Sequence, residues 1–68
     1  MEYTIELAKI DDRRSIVLWV IKDAEGKIIK REYVVCSYYD SEKEVGSQWY
    51  WGHYFRDLFD AVAYAKVA

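Results

Sequence analysis

Residues 15–35 read SIVLWVIKDAEGKIIKREYVV, and the way this stretch folds back on itself decides the architecture. At its centre, Asp23-Ala24-Glu25-Gly26-Lys27 places Asp at the first turn position and Gly at the fourth, which fits a type I turn closed by a left-handed glycine. Before it, Ile16 to Ile21 form a continuous apolar run rich in β-branched residues. The run is short for a buried helix and suits a strand covered on both faces. A β-hairpin follows. If Asp23 faces Lys27, Ile21 lies opposite Ile29, Trp19 opposite Arg31, Val17 opposite Tyr33 and Leu18 opposite Glu32. That register gathers Val17, Trp19, Ile21, Ile29, Tyr33 and Val35 on one face, with Arg31 across the Trp19 ring. Ile16, Leu18 and Val20 share the other face with Lys30 and Glu32.

Toward the N-terminus, Tyr3-Thr4-Ile5-Glu6-Leu7 alternates apolar and polar residues, the mark of a half-buried strand. Asp11-Asp12-Arg13-Arg14 breaks the alternation and reads as a loop. With Ile10 facing Ser15, the side chains of Tyr3, Ile5 and Leu7 join the face of Leu18 and Val20; a one-residue slip would reverse this. Toward the C-terminus, Val34-Val35-Cys36 closes an apolar strand, and Asp40 to Gly46 is a polar surface loop. Gln48 to Phe55 (QWYWGHYF) favours a strand, with Trp49, Trp51, His53 and Phe55 on one side and Tyr50 and Tyr54 on the other. Gly52 interrupts the second side and marks a bulge or a close approach of another group to the backbone.

The period changes at Asp57. Leu58, Phe59, Val62 and Ala65 form one helical stripe, Asp57 suits the N-cap, and Asp60 places a carboxylate at the positive end of the helix dipole. The helix is expected over Asp57 to Ala68, with an alternative start near His53. It is too short to be stable alone and must dock on the sheet, where Trp49, Trp51 and Phe55 are expected to receive Leu58, Phe59 and Val62. The expected fold is a single α+β domain over residues 1–68: an antiparallel four-stranded β-meander with one C-terminal α-helix packed on one face.

Composition excludes several functions. A chain of 68 residues buries only about 60% of its unfolded surface, so its core needs reinforcement. Cys36 is the only cysteine, which rules out a disulfide framework. Cys36 and His53 are too few soft ligands for a structural zinc, and neither a metal nor a cofactor is expected. Dense aromatic packing or self-association remains. Ten basic and twelve acidic residues give a net charge of −2, which argues against a phosphate-tracking surface. No apolar run reaches the roughly 18–20 residues that span a bilayer, and the start of the chain lacks the layout of a signal peptide; no membrane association and a cytoplasmic location are expected.

Catalysis finds no constellation. His53 could pair with Asp57 across one helical turn, but no nucleophile or second acid accompanies it. Cys36 at the end of an apolar strand reads as a small hydrophobe. Asp40, Glu42 and Glu44 lack the pattern of a calcium loop. No catalytic residue is expected, and the chain reads as a non-enzyme.

The aromatic residues carry the functional expectation. One short helix covers one face of a four-stranded sheet, which leaves apolar area exposed, and such patches mark interaction sites. Tyr38, Tyr50, Tyr54, Leu18 and Val20 are the candidate interaction surface. The expected role is a non-catalytic protein-interaction module, with a protein partner or a second copy in a homodimer. The alternative is a nucleic-acid-binding or nucleic-acid-mimicking accessory protein, although Arg56 is the nearest cation to QWYWGHYF. The order of short strands before a helix opening in Asp57-Leu58-x-x-Ala61 resembles, in outline, small antitoxin-like β-sheet-plus-helix proteins of bacteria, over the first ten residues and the last twelve.

Overall fold

The computed structural model describes residues 1–67. Four antiparallel strands form one open sheet in the order β1-β2-β3-β4, and a single helix packs against it. The strands are β1 (Glu2–Lys9), β2 (Arg14–Lys22), β3 (Ile28–Ser37) and β4 (Tyr50–Phe55), and the helix is α1 (Leu58–Val67). A short 3₁₀ turn, Val45–Ser47, lies in the connection from β3 to β4. The expected α+β architecture is therefore present. Ala68, included in the expected helix, lies outside the described residues.

The central hairpin turns where its sequence demands. Asp23 N–H donates to the Lys27 carbonyl at 2.9 Å, and Asp23 Oδ1 accepts from the N–H groups of Glu25 and Lys27. Gly26 takes the left-handed conformation at φ 83°. The β1–β2 loop is built the same way. Asp11 Oδ1 accepts from the N–H groups of Arg13 and Arg14, and the Arg14 Nε donates to Oδ2 at 2.9 Å.

Irregularities then change the register. Lys22 pairs with Ile28, but Ile21 pairs with Lys30, so Ile29 is an extra residue on β3 and every later pair moves by one. Val17 lies opposite Val34, Leu18 opposite Tyr33, and Trp19 opposite Glu32. Because strand side chains alternate, the shift carries Tyr33 and Val35 to the face of Ile16, Leu18 and Val20, correcting the face expected from the turn alone. Arg31 faces Val20, and it is Lys30 that lies over the Trp19 ring, 4.2 Å from its centroid. On β1, Tyr3 pairs with Val20 and Ile5 with Leu18, the expected face with different partners. Leu7 drops out of register between Glu6 and Ala8.

Each face has its own cover. On the first, α1 lies across β2, β3 and β4. Ile16, Val35, Ala61 and Ala65 are buried there, with Ile10, Tyr33, Phe55, Val62 and Tyr64 packed around them. The helix thus docks through its alanines, which let its backbone approach the sheet closely. Phe59, expected inward, is 84% exposed, and Leu58 is also exposed. The helix starts where the sequence places it. Asp57 caps it, its Oδ1 accepting the Phe59 N–H at 2.8 Å, while His53 to Phe55 belong to β4, so the alternative start does not occur. On the second face, the segment 38–49 folds over Val17, Val34 and Cys36 and adds Tyr39 and Trp49 to a cluster that Trp19 of β2 also joins.

Candidate interaction surface

The aromatic residues divide into two clusters that differ in what their polar tips do. The first lies on the face covered by segment 38–49. Trp19 and Trp49 meet edge to face at 5.9 Å, and Tyr54 contacts both. The Trp19 indole N–H donates to Glu2 at 2.7 Å, and that of Trp49 donates to the Tyr54 hydroxyl at 3.0 Å. Beside them, the Thr4 hydroxyl donates to Gln48 Oε1 at 2.6 Å, so the Tyr39 hydroxyl, 2.8 Å away, donates to Thr4. Buried Gln48 closes the loop through its amide, which donates to the carbonyls of Ser41 and Lys43. Every polar tip in this cluster has a partner, which pins an otherwise polar loop to the sheet.

The reason for Gly52 appears here. A Cβ at this position would stand 2.7 Å from the Trp49 Nε1 and 2.8 Å from the Tyr54 hydroxyl. The hydrogen bond between these two side chains crosses the backbone where the side chain is absent. The expected close approach is thus this bond.

The second cluster consists of Tyr38, Tyr50 and Trp51, with centroids 5.9–6.3 Å apart and planes tilted 47–79°. Tyr38 is 48%, Tyr50 55% and Trp51 71% exposed. With about 150–250 Å² per ring, the trio presents roughly 350 Å² of exposed aromatic surface, the size of the patches that serve function on small monomers. No hydrogen bond links the Tyr38 or Tyr50 hydroxyl or the Trp51 indole to another described residue. Tyr38 and Trp51 are also the two non-glycine residues with positive φ among the described ones, at 57° and 53°. A bulky residue held there costs on the order of 1–3 kcal/mol, and such strain concentrates at functional positions. At Tyr38 the backbone is fixed by its N–H, which donates to the Arg13 carbonyl at 2.7 Å. At Trp51 the irregular pairing between Val35–His53 and Ser37–Tyr50 imposes the kink.

Next to this trio is a recess of about 200 Å³ lined by Arg14, Val35, Cys36, Ser37, Trp51, His53 and Tyr64. His53 stacks on Tyr64 at 4.6 Å, and Tyr64 also meets Phe55, which joins strand to helix. His53 sits in β4 and not on a helix turn with Asp57, so the sequence-based pairing of the two does not form. Cys36 reaches the recess wall but is 2% exposed, and burial, with Glu6 beside it, pushes its thiol up to about 11. It stays protonated and unreactive at neutral pH. Asp11 is held down to about 2, chiefly by the backbone N–H groups of Arg13 and Arg14 and then by the Arg14 side chain.

The expected surface residues do not form one surface. Tyr38 and Tyr50 lie together in the open trio. Tyr54 belongs to the hydrogen-bonded cluster on the loop-covered face, although half of it remains exposed. Leu18 lies on the helix-bearing face and is half-buried, and Val20 is 2% exposed beneath Tyr3, its partner across the ladder. Trp49 packs on the face away from the helix, and Trp51 is mostly exposed and belongs to neither buried cluster, which corrects their expected role as helix anchors. Of the three rings assigned to that role, Phe55 fulfils it. Trp51 was missed as a surface residue because strict alternation placed it inward. Among the described residues no group of three or more His, Cys, Asp or Glu side chains could hold a metal ion, and no helix is long and apolar enough to cross a membrane. Compared with known protein families, characterised proteins and solved structures, the chain matches none.

Proposed function

We propose that the chain is a small non-catalytic protein-interaction module whose contact surface is the open trio Tyr38, Tyr50 and Trp51 with the adjoining recess. The observation that carries this reading is the contrast in hydrogen bonding. In the covered cluster every indole and phenol tip is bonded within the protein, while in the trio none is bonded to a described residue, at a backbone cost borne twice. Trp and Tyr are the preferred anchors of protein interfaces, and rings with unbonded donors keep affinity in reserve for a partner. The near-neutral charge supports a protein partner over nucleic acid, because the Arg14 Nε at the recess is paired with Asp11.

This contact surface is smaller than a whole sheet face. The helix covers much of one face and segment 38–49 much of the other. A second copy would dock through the trio. The test is a peptide-display selection on the wild-type protein and on a Tyr50→Ala/Trp51→Ala variant of unchanged circular dichroism. Peptides enriched on the wild type alone support the reading; equal enrichment on both, or none on either, sinks it. Sedimentation across a concentration series distinguishes a second copy as the partner, since a homodimer through the trio dissociates in the variant.

A further inference from the structure

Beyond the trio, at the opposite edge of the sheet, we infer that β1 receives an extended segment of another protein carrying two basic residues four positions apart. The backbone fixes which groups of β1 face out. The Lys22 N–H donates to the Met1 carbonyl at 2.7 Å, and the Met1 ammonium donates to the Lys22 carbonyl at 2.9 Å. In an antiparallel ladder such bonded pairs alternate with pairs that exchange no hydrogen bond. Tyr3–Val20 and Ile5–Leu18 are therefore bonded, and Glu2, Thr4 and Glu6 turn their N–H and C=O groups outward. These groups repeat about every 7 Å, a spacing that another extended backbone matches. From Glu2 to Glu6 neither proline nor lysine blunts the row, which ends at the irregularity after Glu6. The other edge strand, β4, offers no such row, because Trp51 at φ 53° breaks its regular backbone.

The side chains then specify the occupant by charge. Glu2 and Glu6 are exposed on the face of segment 38–49, and each is held by one carboxylate oxygen, Glu2 by the Trp19 indole and Glu6 by the Ser15 hydroxyl. Two negative charges thus stand at fixed points along the edge. Segment 38–49 rests its Val45–Ser47 turn against β1 and carries Asp40, Glu42 and Glu44 against the single cation Lys43, which adds to the negative charge on that side. On the other face, Tyr3 is half-buried and Ile5 is 47% exposed. A segment laid antiparallel along the row places basic residues opposite Glu2 and Glu6, a small polar one opposite Thr4, and apolar ones opposite Tyr3 and Ile5. A second copy does not fit. Pairing β1 with itself over the whole row centres on Thr4 and sets each Glu2 against a Glu6, where like charges repel. The rest of the chain lacks the pattern too. Its basic pairs four apart are Lys9 with Arg13 and Lys27 with Arg31, and Asp12 and Lys30 stand where the second apolar residue is required.

The experiment titrates the capped peptide Gly-Lys-Val-Thr-Val-Lys-Gly, and the same peptide with glutamate for both lysines, into the ¹⁵N-labelled protein while amide exchange is followed. With the lysine peptide at saturation, exchange of the Thr4 and Glu6 N–H groups should slow at least tenfold, with a smaller change at Tyr3 and Ile5. The glutamate peptide should protect neither. Methylating the peptide nitrogen of threonine, which faces β1, should abolish the protection, and methylating that of a valine, which faces away, should not. Glu2→Gln/Glu6→Gln keeps an acceptor oxygen for Trp19 and Ser15 and should weaken binding about fivefold. Equal protection by both peptides, or by neither, overturns the inference, as does undiminished binding to the double variant. Movement of the Trp51 indole in place of the β1 amides assigns the peptide to the trio; that outcome overturns the inference and leaves the proposed function standing.

Discussion

Trp49 and Trp51 are two residues apart in one run, QWYWGHYF, yet the protein treats them in opposite ways. Trp49 is half-buried, edge-on to Trp19, and its indole N–H is spent on Tyr54. Trp51 is mostly exposed, held at positive φ, and its indole is bonded to no described residue. The same division separates Tyr39 and Tyr54 from Tyr38 and Tyr50. Exposure alone would not separate them, since Tyr54 and Tyr38 are exposed to nearly the same degree. The discriminating feature is whether the polar tip is satisfied. A ring that closes its own hydrogen bonds is holding the fold together, and a ring that leaves them open while straining its backbone contributes little to the fold it sits on.

The comparison breaks most directly by truncating one ring of each kind. Trp49→Ala should lower the unfolding free energy by about 3 kcal/mol, because it removes a large half-buried ring and leaves a void over Val17 and Val34. Trp51→Ala should change stability by less than about 1 kcal/mol, since its ring neighbours Tyr38 and Tyr50 are themselves on the exposed surface. Urea denaturation of the two variants measures both values. Equal destabilisation would mean that the trio is structural, and the interaction reading would lose its basis.

Gly52 sharpens the same contrast from the backbone side. Gly52→Ala introduces a methyl group into the path of the Trp49–Tyr54 hydrogen bond, so the indole must shift or the bond must break. The expected cost is about 1–3 kcal/mol, the range for overpacking. In the spectrum, the Trp49 indole resonance should move and that of Trp51 should not. A variant as stable as the wild type with the Trp49 signal unmoved would show that the hydrogen bond is dispensable.

Much of the fold was legible because local chemistry states it. Asp23 and Gly26 specify the hairpin turn, alternation specifies β1, and Asp57 specifies where the helix starts. The register beyond the turn was not legible, because the extra residue Ile29 sits just past the turn among exposed positions, where neither the turn residues nor the apolar pattern announces it. The helix face was misread for a related reason. Hydrophobicity ranks Phe59 above Ala61, but close docking on a flat sheet rewards the small side chain, and Ala61 is the one fully buried. In the candidate site, Tyr38 and Tyr50 could be named from composition. Trp51 could not, since its outward turn depends on a positive φ that alternation does not foresee. Gln48 left a faint signal, an amide between a polar loop and an aromatic run, and it proves to be the anchor of segment 38–49.

The smallest effect concerns the loop behind the open trio. The Asp11 carboxylate receives the backbone N–H groups of Arg13 and Arg14, and Arg13 in turn accepts the N–H of Tyr38, so one ionised side chain braces the backbone that holds a strained ring. Its folded pKa of about 2 lies below the ordinary aspartate value of 3.8. The folded state therefore binds fewer protons than the unfolded one between these values, and stability falls as pH falls through that window. Above it the contribution is fully present. Asp11 is exposed, so solvent screens the effect and the loss should be modest. The prediction is a small fall in thermal midpoint from about pH 4 to about pH 2 that Asp11→Asn reduces. In that variant, the resonances of Tyr38 should broaden or shift at neutral pH, while those of Trp19 and Trp49 should not. An unchanged Tyr38 spectrum would show that the strained ring is held by the trio itself and owes nothing to the loop.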